Sequence, residues 1–201
     1  KDLTGANLSF ADLSEHDLTG TNLSNSILWR TNLSGIDLSS TTITNVSSRY
    51  ANLSESNLPD SLVNNNFDLA KLMNINFRGK DLSGSSFERA ELDGSDMRNT
   101  NLFGASFVQV DFTKIKNKSL AGADLSEASF AHSNLSGVNL AGVILHTTNF
   151  WKADLSGVDF TVTTNTPYQG TIFRQADLSN SNFEGVTLSP VEVFDGHTEN
   201  D

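Results

Sequence analysis

The 201-residue chain contains no cysteine, only three prolines and only two residues each of tryptophan and tyrosine. The absence of cysteine excludes disulfides, zinc–thiolate sites and thiol catalysis, but it does not assign a compartment. Hydrophobic residues make up 37% of the chain, which is few for a globular core. No apolar run approaches the roughly 20 residues of a membrane span, and no signal peptide is visible.

Basic residues are also scarce, because 13 Lys and Arg stand against 24 Asp and Glu, which gives a net charge of −11. Proteins that bind nucleic acid directly place clusters of Lys and Arg on its phosphates. The charge therefore argues against direct nucleic-acid binding. The chain opens at Lys1, without a methionine and partway through a repeat, and we take this to indicate a piece of a longer protein.

A five-residue repeat runs along nearly the whole chain. A large apolar residue recurs every five positions from Leu3 to Leu38, from Leu62 to Phe112 and again from Leu120 onward. A small residue usually lies two positions before this central residue, and Asp or Asn lies one before it. Ser and Gly often follow, as in the segment 153–157. A period of five fits neither an α-helix nor a flat strand.

This pattern resembles that of the pentapeptide-repeat family over nearly the whole chain. The resemblance implies an all-β fold, a right-handed quadrilateral parallel β-helix with one pentapeptide on each side of a coil. It also implies that the central residue and the small residue two before it point inward, while the other three positions face solvent. Residues 20 apart then lie above one another, in about nine to ten coils that each rise by one inter-strand spacing.

Phenylalanine spacing provides a check on this register. Phe87 and Phe107 are 20 residues apart, whereas Phe107 and Phe130 are 23 apart, as are Phe150 and Phe173. Three-residue insertions would restore one continuous stack of rings on a single side. We therefore predict that central phenylalanines stack along the axis through both long intervals.

These intervals define the predicted domain organisation. We place the two insertions within 113–119 and 161–171, and a one-residue deletion near 59–60 accounts for a further change of register. The repeat predicts one β-helical domain over residues 1–188. The remaining segment, 189–201, is expected to form a C-terminal cap or a flexible tail.

Stacking assigns every outward residue to a side of the rod. The second side, which begins with the repeat centred on Leu8, carries both tryptophans, Tyr50 and several basic residues. Aromatic and Arg side chains are enriched at binding hot spots, although large side chains that merely cover neighbouring backbone are an alternative. The predicted interaction face consists of Phe10, Trp29, Arg30, Arg49, Tyr50, His132, Trp151, Lys152 and Arg174.

The third side, which begins with the repeat centred on Leu13, is acidic. Its predicted acidic face consists of Glu91, Asp111, Asp154 and Asp177. A solvated surface is one interpretation. The alternative comes from the resemblance, because bacterial quinolone-resistance members of the family mimic DNA and bind a type II topoisomerase, gyrase. B-DNA carries about one charge per 1.7 Å, a density that 24 acids offset by 13 bases do not reach.

The two insertions are candidate recognition loops, because loops on a rigid scaffold often carry binding residues. The first insertion is basic, and the second contains a proline and a tyrosine. The candidate loop residues are Lys114, Lys116, Lys118, Pro167 and Tyr168.

No catalytic constellation is visible in the sequence. The histidines lack the spacing of metal motifs, no serine has a His–Asp pair placed to activate it, and the glycines follow the repeat rather than a phosphate loop. We expect a non-catalytic scaffold or protein–protein interaction module, one domain of a larger bacterial protein, without cofactor or membrane insertion. The expected partner is an unidentified protein, and an upstream domain or end-to-end stacking would cover the open end. The sequence does not decide between the cytoplasm and secretion.

Overall fold

A computed structural model describes residues 1–164 and 170–186. Within these residues the only helices are two short 3-10 turns, Phe112–Lys114 and Lys116–Lys118. The β-structure there consists of isolated parallel bridges, each joining one residue to its counterpart a coil later. The chain is therefore a parallel β-helix built from single-residue bridges. No helix in the described ranges is long and apolar enough to span a membrane, and the predicted C-terminal segment 189–201 lies outside them.

The bridges form four ladders along the axis, and one of them is unbroken over the described residues. This second ladder consists of Asn7, Ile27, Ser47, Asn66, Ser86, Ser106, Ser129, Asn149 and Ile172. Its usual step is 20 residues, but the step from Ser47 to Asn66 is 19 and the step from Ser106 to Ser129 is 23. The step that ends at Ile172 is also 23 residues. Additional residues are thus accommodated between bridges, where they leave the ladder intact.

Stacked phenylalanines fill the core behind the second ladder. Six central rings, from Phe67 to Phe173, follow one another with centroid separations between 4.8 and 5.6 Å. Phe87 and Phe107 are nearly parallel, with an interplanar angle of 7°. The predicted stack is therefore confirmed through both long steps. Tight ring packing of this kind resists changes of side-chain volume, so it makes this wall of the rod rigid.

Asp or Asn before the central residue stabilises the turn that closes each repeat. Oδ1 of Asp12 accepts hydrogen bonds from the backbone N–H of Ser14 at 3.1 Å and from its hydroxyl at 2.6 Å. The carbonyl of the central residue then accepts an N–H from three residues later, as Leu8 does from Ala11 at 3.1 Å. The third residue of most such turns adopts a positive φ, the conformation that glycine tolerates best.

A buried lysine compensates for the short step. Lys80 occupies an inward position normally held by a small residue, and it is only 9% exposed. Its Nζ donates a hydrogen bond of 2.7 Å to the carbonyl of Leu58 and lies 3.2 Å from Oδ1 of Asp60. The ammonium satisfies the carbonyl that precedes the deletion near 59–60, while its charge reaches the exposed carboxylate.

We expect Lys80→Met to lower the free energy of unfolding by about 1–3 kcal/mol, because the Leu58 carbonyl would then lack a hydrogen-bond donor. Urea unfolding followed by circular dichroism measures this change. Lys118→Met, at an exposed lysine, is the matched control and should leave stability within about 0.5 kcal/mol of the parent. Equal stabilities of the two variants would contradict the role of Lys80.

The turn carboxylates give the fold a dependence on acid. Hydroxyl and backbone N–H donors lower the pKa of Asp12, through Ser14, and that of Asp37, through Ser39. The pKa of Asp159 is lowered in the same way. Because these pKa values are depressed in the folded state, their contribution to stability is complete above the unfolded pKa, about 3.9. It is lost as the pH falls through the folded pKa.

Replacing Asp12, Asp37 and Asp159 together by Asn should flatten the fall in unfolding free energy below about pH 4. Asn keeps the turn but does not titrate, as Asn149 shows by accepting the N–H of Trp151 at 2.9 Å. Denaturant unfolding at a series of pH values tests this expectation. Glu127→Gln should leave the slope unchanged, and a triple variant with the parental slope would show that these turns do not govern acid sensitivity.

Candidate functional site

The second face, the outer surface along the second ladder, has an unusual set of turn residues. Its nine left-handed residues have φ values between 54° and 63°, and none is Gly or Asn. Other left-handed residues in the described ranges are Gly or Asn apart from Glu55, Lys118, Glu127 and Thr147. A residue with a Cβ costs about 1–2 kcal/mol in this conformation. The second-face column consists of Phe10, Arg30, Tyr50, Leu69, Arg89, Gln109, His132, Lys152 and Gln175.

Five of the predicted residues meet in a first cluster near the start of this face. The ring of Phe10 packs edge-on against Trp29 with centroids 4.6 Å apart. The guanidinium carbon of Arg30 lies 4.9 Å from the centre of the Trp29 ring and 5.4 Å from that of Tyr50, and Arg49 lies 5.5 Å from the Tyr50 ring. Phe10 is 64% exposed. The first cluster is therefore a solvent-facing patch of rings covered by two cations.

The other four predicted residues form a second cluster further along the same face. His132 packs edge-on against Trp151 with centroids 4.8 Å apart, and the Nζ of Lys152 lies 4.8 Å from the centre of the Trp151 ring. Arg174 follows one coil later, where its carbonyl accepts the N–H of Lys152 at 3.0 Å. Trp151 and Lys152 are exposed. The structure thus gathers the predicted face into two separate groups.

Charges between the two clusters are paired with one another. Arg89 lies 3.9 Å from the carboxylate of Glu88 and also donates to Gln109. Asp68 accepts the backbone N–H of Glu88 at 3.0 Å and a hydrogen bond from Ser86. By contrast, in the described part of the chain, Arg30, Arg49 and Lys152 contact aromatic rings and form no ion pair with a carboxylate. Unneutralised positive charge on this face is therefore found at the clusters.

Sequence reasoning missed two apolar members of the second face. Ile27 and Ile172 belong to the second ladder, and their side chains are 42% and 39% exposed. Each stands where Asp or Asn usually precedes the central residue, and this departure from the repeat is visible in the sequence. With them, five of the eight exposed large hydrophobic residues of the described chain lie on this face.

The acidic face is less continuous than its sequence suggests. Asp111, Asn134, Asp154 and Asp177 are successive members of one ladder, and Glu91 is bridged to Lys71. Hydrogen bonds from Ser179 lower the pKa of Asp177. The Nζ of Lys114 lies 3.7 Å from Asp111 and 4.0 Å from Asp93. Lys114 therefore neutralises part of the column at Asp111.

The three loop lysines lie on the two 3-10 turns and are exposed. Buried Ile115 anchors the loop, the N–H of Lys116 donates to the Ser95 carbonyl at 2.9 Å, and the carbonyl of Lys118 accepts the N–H of Asn139 at 2.8 Å. The insertion is thus attached to the coils on both sides of it. Pro167 and Tyr168 lie outside the described residues.

Hydrolytic or metal chemistry needs converging ionisable groups. Residues 1–164 and 170–186 contain no group of three or more His, Asp or Glu side chains that could hold a metal ion. The described carboxylates with lowered pKa values are instead held in turns or paired with Arg98, as Asp96 is. In the described residues, the contacts between cations and aromatic rings all lie in the two clusters on the second face.

Solved structures similar to this chain are also repeat proteins. A pentapeptide repeat protein from the thylakoid lumen of Arabidopsis thaliana is 28% identical, over 48% of this chain and 68% of that one, with a TM-score of 0.45. The plasmid-mediated fluoroquinolone resistance protein QnrB1, trypsin-treated, is 22% identical, over 85% and 89% of the two chains, with a TM-score of 0.40. HetL, involved in heterocyst differentiation regulation in the cyanobacterium Nostoc, is 25% identical, over 93% and 84%, with a TM-score of 0.29.

A search of curated protein sequences found no match. The sequence profile described as pentapeptide repeats matches eight copies, in residues 2–39, 81–116, 123–161 and 168–189. These segments span more than half of the chain and share the five-residue register of the bridges. The fold that accompanies this repeat is a right-handed β-helix. The chain therefore belongs to the pentapeptide repeat family.

Proposed function

We propose that this chain is a non-catalytic scaffold that binds another protein through its second face, as one domain of a larger bacterial protein. The observation that carries the proposal is the column of nine left-handed residues, none of them Gly or Asn. Backbone strain of this kind is typical of functional positions. The side chains retained there include Arg, Tyr and Lys next to both tryptophans, which are types enriched at binding hot spots.

Rigidity of the core supports this role. The stacked phenylalanines lie directly behind the second face, and the outward side chains are mounted on their backbone. Ring–ring and ring–cation contacts already restrict the side chains of both clusters before any partner arrives. A surface that is ordered in advance loses less conformational entropy on binding.

The non-catalytic part of the proposal is supported by the tasks that polar residues perform. Carboxylates accept turn hydrogen bonds, and several inward hydroxyls donate to core carbonyls, as Thr148 does to Leu125 at 2.9 Å. We also propose a quadrilateral cross-section with about nine to ten coils over residues 1–188, followed by a cap or tail over 189–201. The four ladders and the nine members of the second ladder support this architecture.

The alternative function is that of an acidic DNA mimic that binds gyrase, and it would use the acidic face. Asn134 stands between Asp111 and Asp154 in that column and Lys114 pairs with Asp111, whereas B-DNA carries about one charge per 1.7 Å along its axis. The observations therefore favour the second face. Under the proposed function, supercoiling by gyrase is unchanged at micromolar concentrations of the protein, whereas inhibition or protection would support the mimic.

We expect the double variant Arg30→Asn, Lys152→Asn to lose its protein partner while its melting temperature stays the same or rises. Asn is used at equivalent left-handed positions on the first face, such as Asn25 and Asn45, so the substitution relieves strain as it removes the cations. Proteins retained from a bacterial extract by immobilised parent and variant, quantified by mass spectrometry, provide the comparison.

Glu127→Asn is the matched control, because it is also a left-handed residue but lies on the first face. It should retain the partner at the parental level. Two further variants test the other candidate surfaces: Lys114, Lys116 and Lys118 replaced by Gln, and Glu91, Asp154 and Asp177 replaced by their amides. The proposed role of the second face would be contradicted if the Arg30/Lys152 variant captured the partner as well as the parent does. It would also be contradicted if capture were lost only in the loop variant or only in the acidic-face variant.

A further inference from the structure

The two clusters on the second face are copies of one arrangement. Phe10 and His132 each pack edge-on against a tryptophan, at 4.6 and 4.8 Å and with interplanar angles of 79° and 76°. Arg30 and Lys152 each cover that tryptophan, at 4.9 and 4.8 Å from its centre. Corresponding residues in these pairs are 122 positions apart, as are the two tryptophans.

Both clusters are built on the backbone pairing that recurs from coil to coil along the second face. The N–H of Phe10 donates to the carbonyl of Trp29 at 2.9 Å, and His132 makes the same bond to Trp151 at 2.9 Å. One residue further on, Arg30 donates to Arg49 at 3.1 Å, as Lys152 does to Arg174 at 3.0 Å. Each arrangement therefore extends over three coils and ends in an arginine. Along the axis the two clusters present an aromatic or imidazole ring, a tryptophan and two cations in the same order, and Gln175 stands where the first cluster has Tyr50.

Their separation follows from the ladder. Six bridges of the second ladder lead from Ile27 to Asn149, the residues that precede the two tryptophans by two positions. At the usual inter-strand spacing this corresponds to about 29 Å. Because one unbroken ladder joins them, both clusters lie on the same wall of the rod.

The charge of the clusters selects the partner. In a chain of net charge −11 they combine apolar rings with Arg30, Arg49 and Lys152, which form no ion pair with any carboxylate of residues 1–164 and 170–186. A second copy packed antiparallel on this face would set cations against cations, which disfavours it. Nucleic acid is disfavoured because its dense charge would meet an acidic rod. A protein segment with carboxylates and apolar side chains complements both features.

We propose that the two clusters are equivalent subsites for a single acidic, apolar-bearing protein segment that lies along the second face and occupies both. This inference rests on the proposed function of that face. At each subsite the tryptophan packs against an apolar side chain, and the neighbouring cations bind a carboxylate. About nine extended residues cover the distance between the subsites. Joining two weak contacts in one segment raises affinity by typically 10²–10⁴-fold.

The two tryptophans are the only ones in the chain, so each subsite has its own fluorophore. Trp29→Phe leaves Trp151 to report the second cluster, and Trp151→Phe leaves Trp29 to report the first. The probes are synthetic peptides with one or five Glu-Phe-Gly units. We expect the one-unit peptide to change the fluorescence of both variants with similar midpoints. The five-unit peptide should bind the parent once per chain, with a Kd lower by at least about tenfold.

Coupling between the subsites provides the decisive readout. Arg30→Asn, added to Trp29→Phe, should raise the midpoint of the five-unit peptide at Trp151 towards that of the one-unit peptide, although Trp151 is untouched. The one-unit midpoint at Trp151 should not change. Phe103→Ala, at an exposed phenylalanine outside the second face, is the matched control and should alter neither midpoint. A Lys-Phe-Gly peptide of five units should not bind.

Several results would overturn the inference while leaving the proposed function intact. Two five-unit peptides per chain, or no gain over one unit, would exclude a single segment that occupies both subsites. Tighter binding of single-stranded DNA or heparin at the same salt concentration would exclude an acidic protein segment as the preferred ligand. Dimerisation in sedimentation experiments that Arg30→Asn abolishes would assign the face to a second copy. A failure of the proposed function would be recognised by a different result, because capture of the partner protein would then not depend on Arg30 and Lys152.

Discussion

Consecutive coils of this rod are joined by parallel β-bridges, about one in each pentapeptide. Leu28 donates to Ser47 at 2.7 Å, and Ser47 donates to Ser26 at 3.0 Å, so two hydrogen bonds close the bridge between Ile27 and Ser47 in successive coils. These bonds align central residues above one another and allow rings such as Phe87 and Phe107 to stack. The core, the ladders and the outward columns all depend on this alignment. Residues between bridges are less constrained, so insertions and unusual side chains occur there.

Much of the fold was predictable because the repeat determines which positions face inward. A large apolar residue every fifth position and a small one two before it have a single arrangement in a narrow tube, and the phenylalanine stack followed from counting residues. The interaction that compensates for the 19-residue step was not predictable. Lys80 is a lysine in a position typical of small residues, and only the structure shows that its ammonium binds the Leu58 carbonyl. Sequence identifies such a residue as an exception but not what it contacts.

The candidate site, like the fold, was only partly predictable from the sequence. Register alone placed Trp29 and Trp151 outside the tube, because each follows an inward central residue. Pairing between coils was beyond the sequence, since the contact of Phe10 with Trp29 depends on rotamers and on the left-handed backbone of Phe10. Ile27 and Ile172 were overlooked because their position in the repeat normally carries a polar residue. Replacing that polar residue removes a turn hydrogen bond and adds apolar surface, a change that favours binding over local stability.

The second ladder has a consequence for how proteins of this architecture can change. Extra residues inserted between bridges, as in 113–119, lengthen one coil but leave the distance between Trp29 and Trp151 along the axis unaltered. Only the gain or loss of a whole coil changes that distance, and it does so in increments of about 4.8 Å without rotating either tryptophan to another wall. The axial distance between two surface groups on one wall of the rod can therefore change only by whole coils.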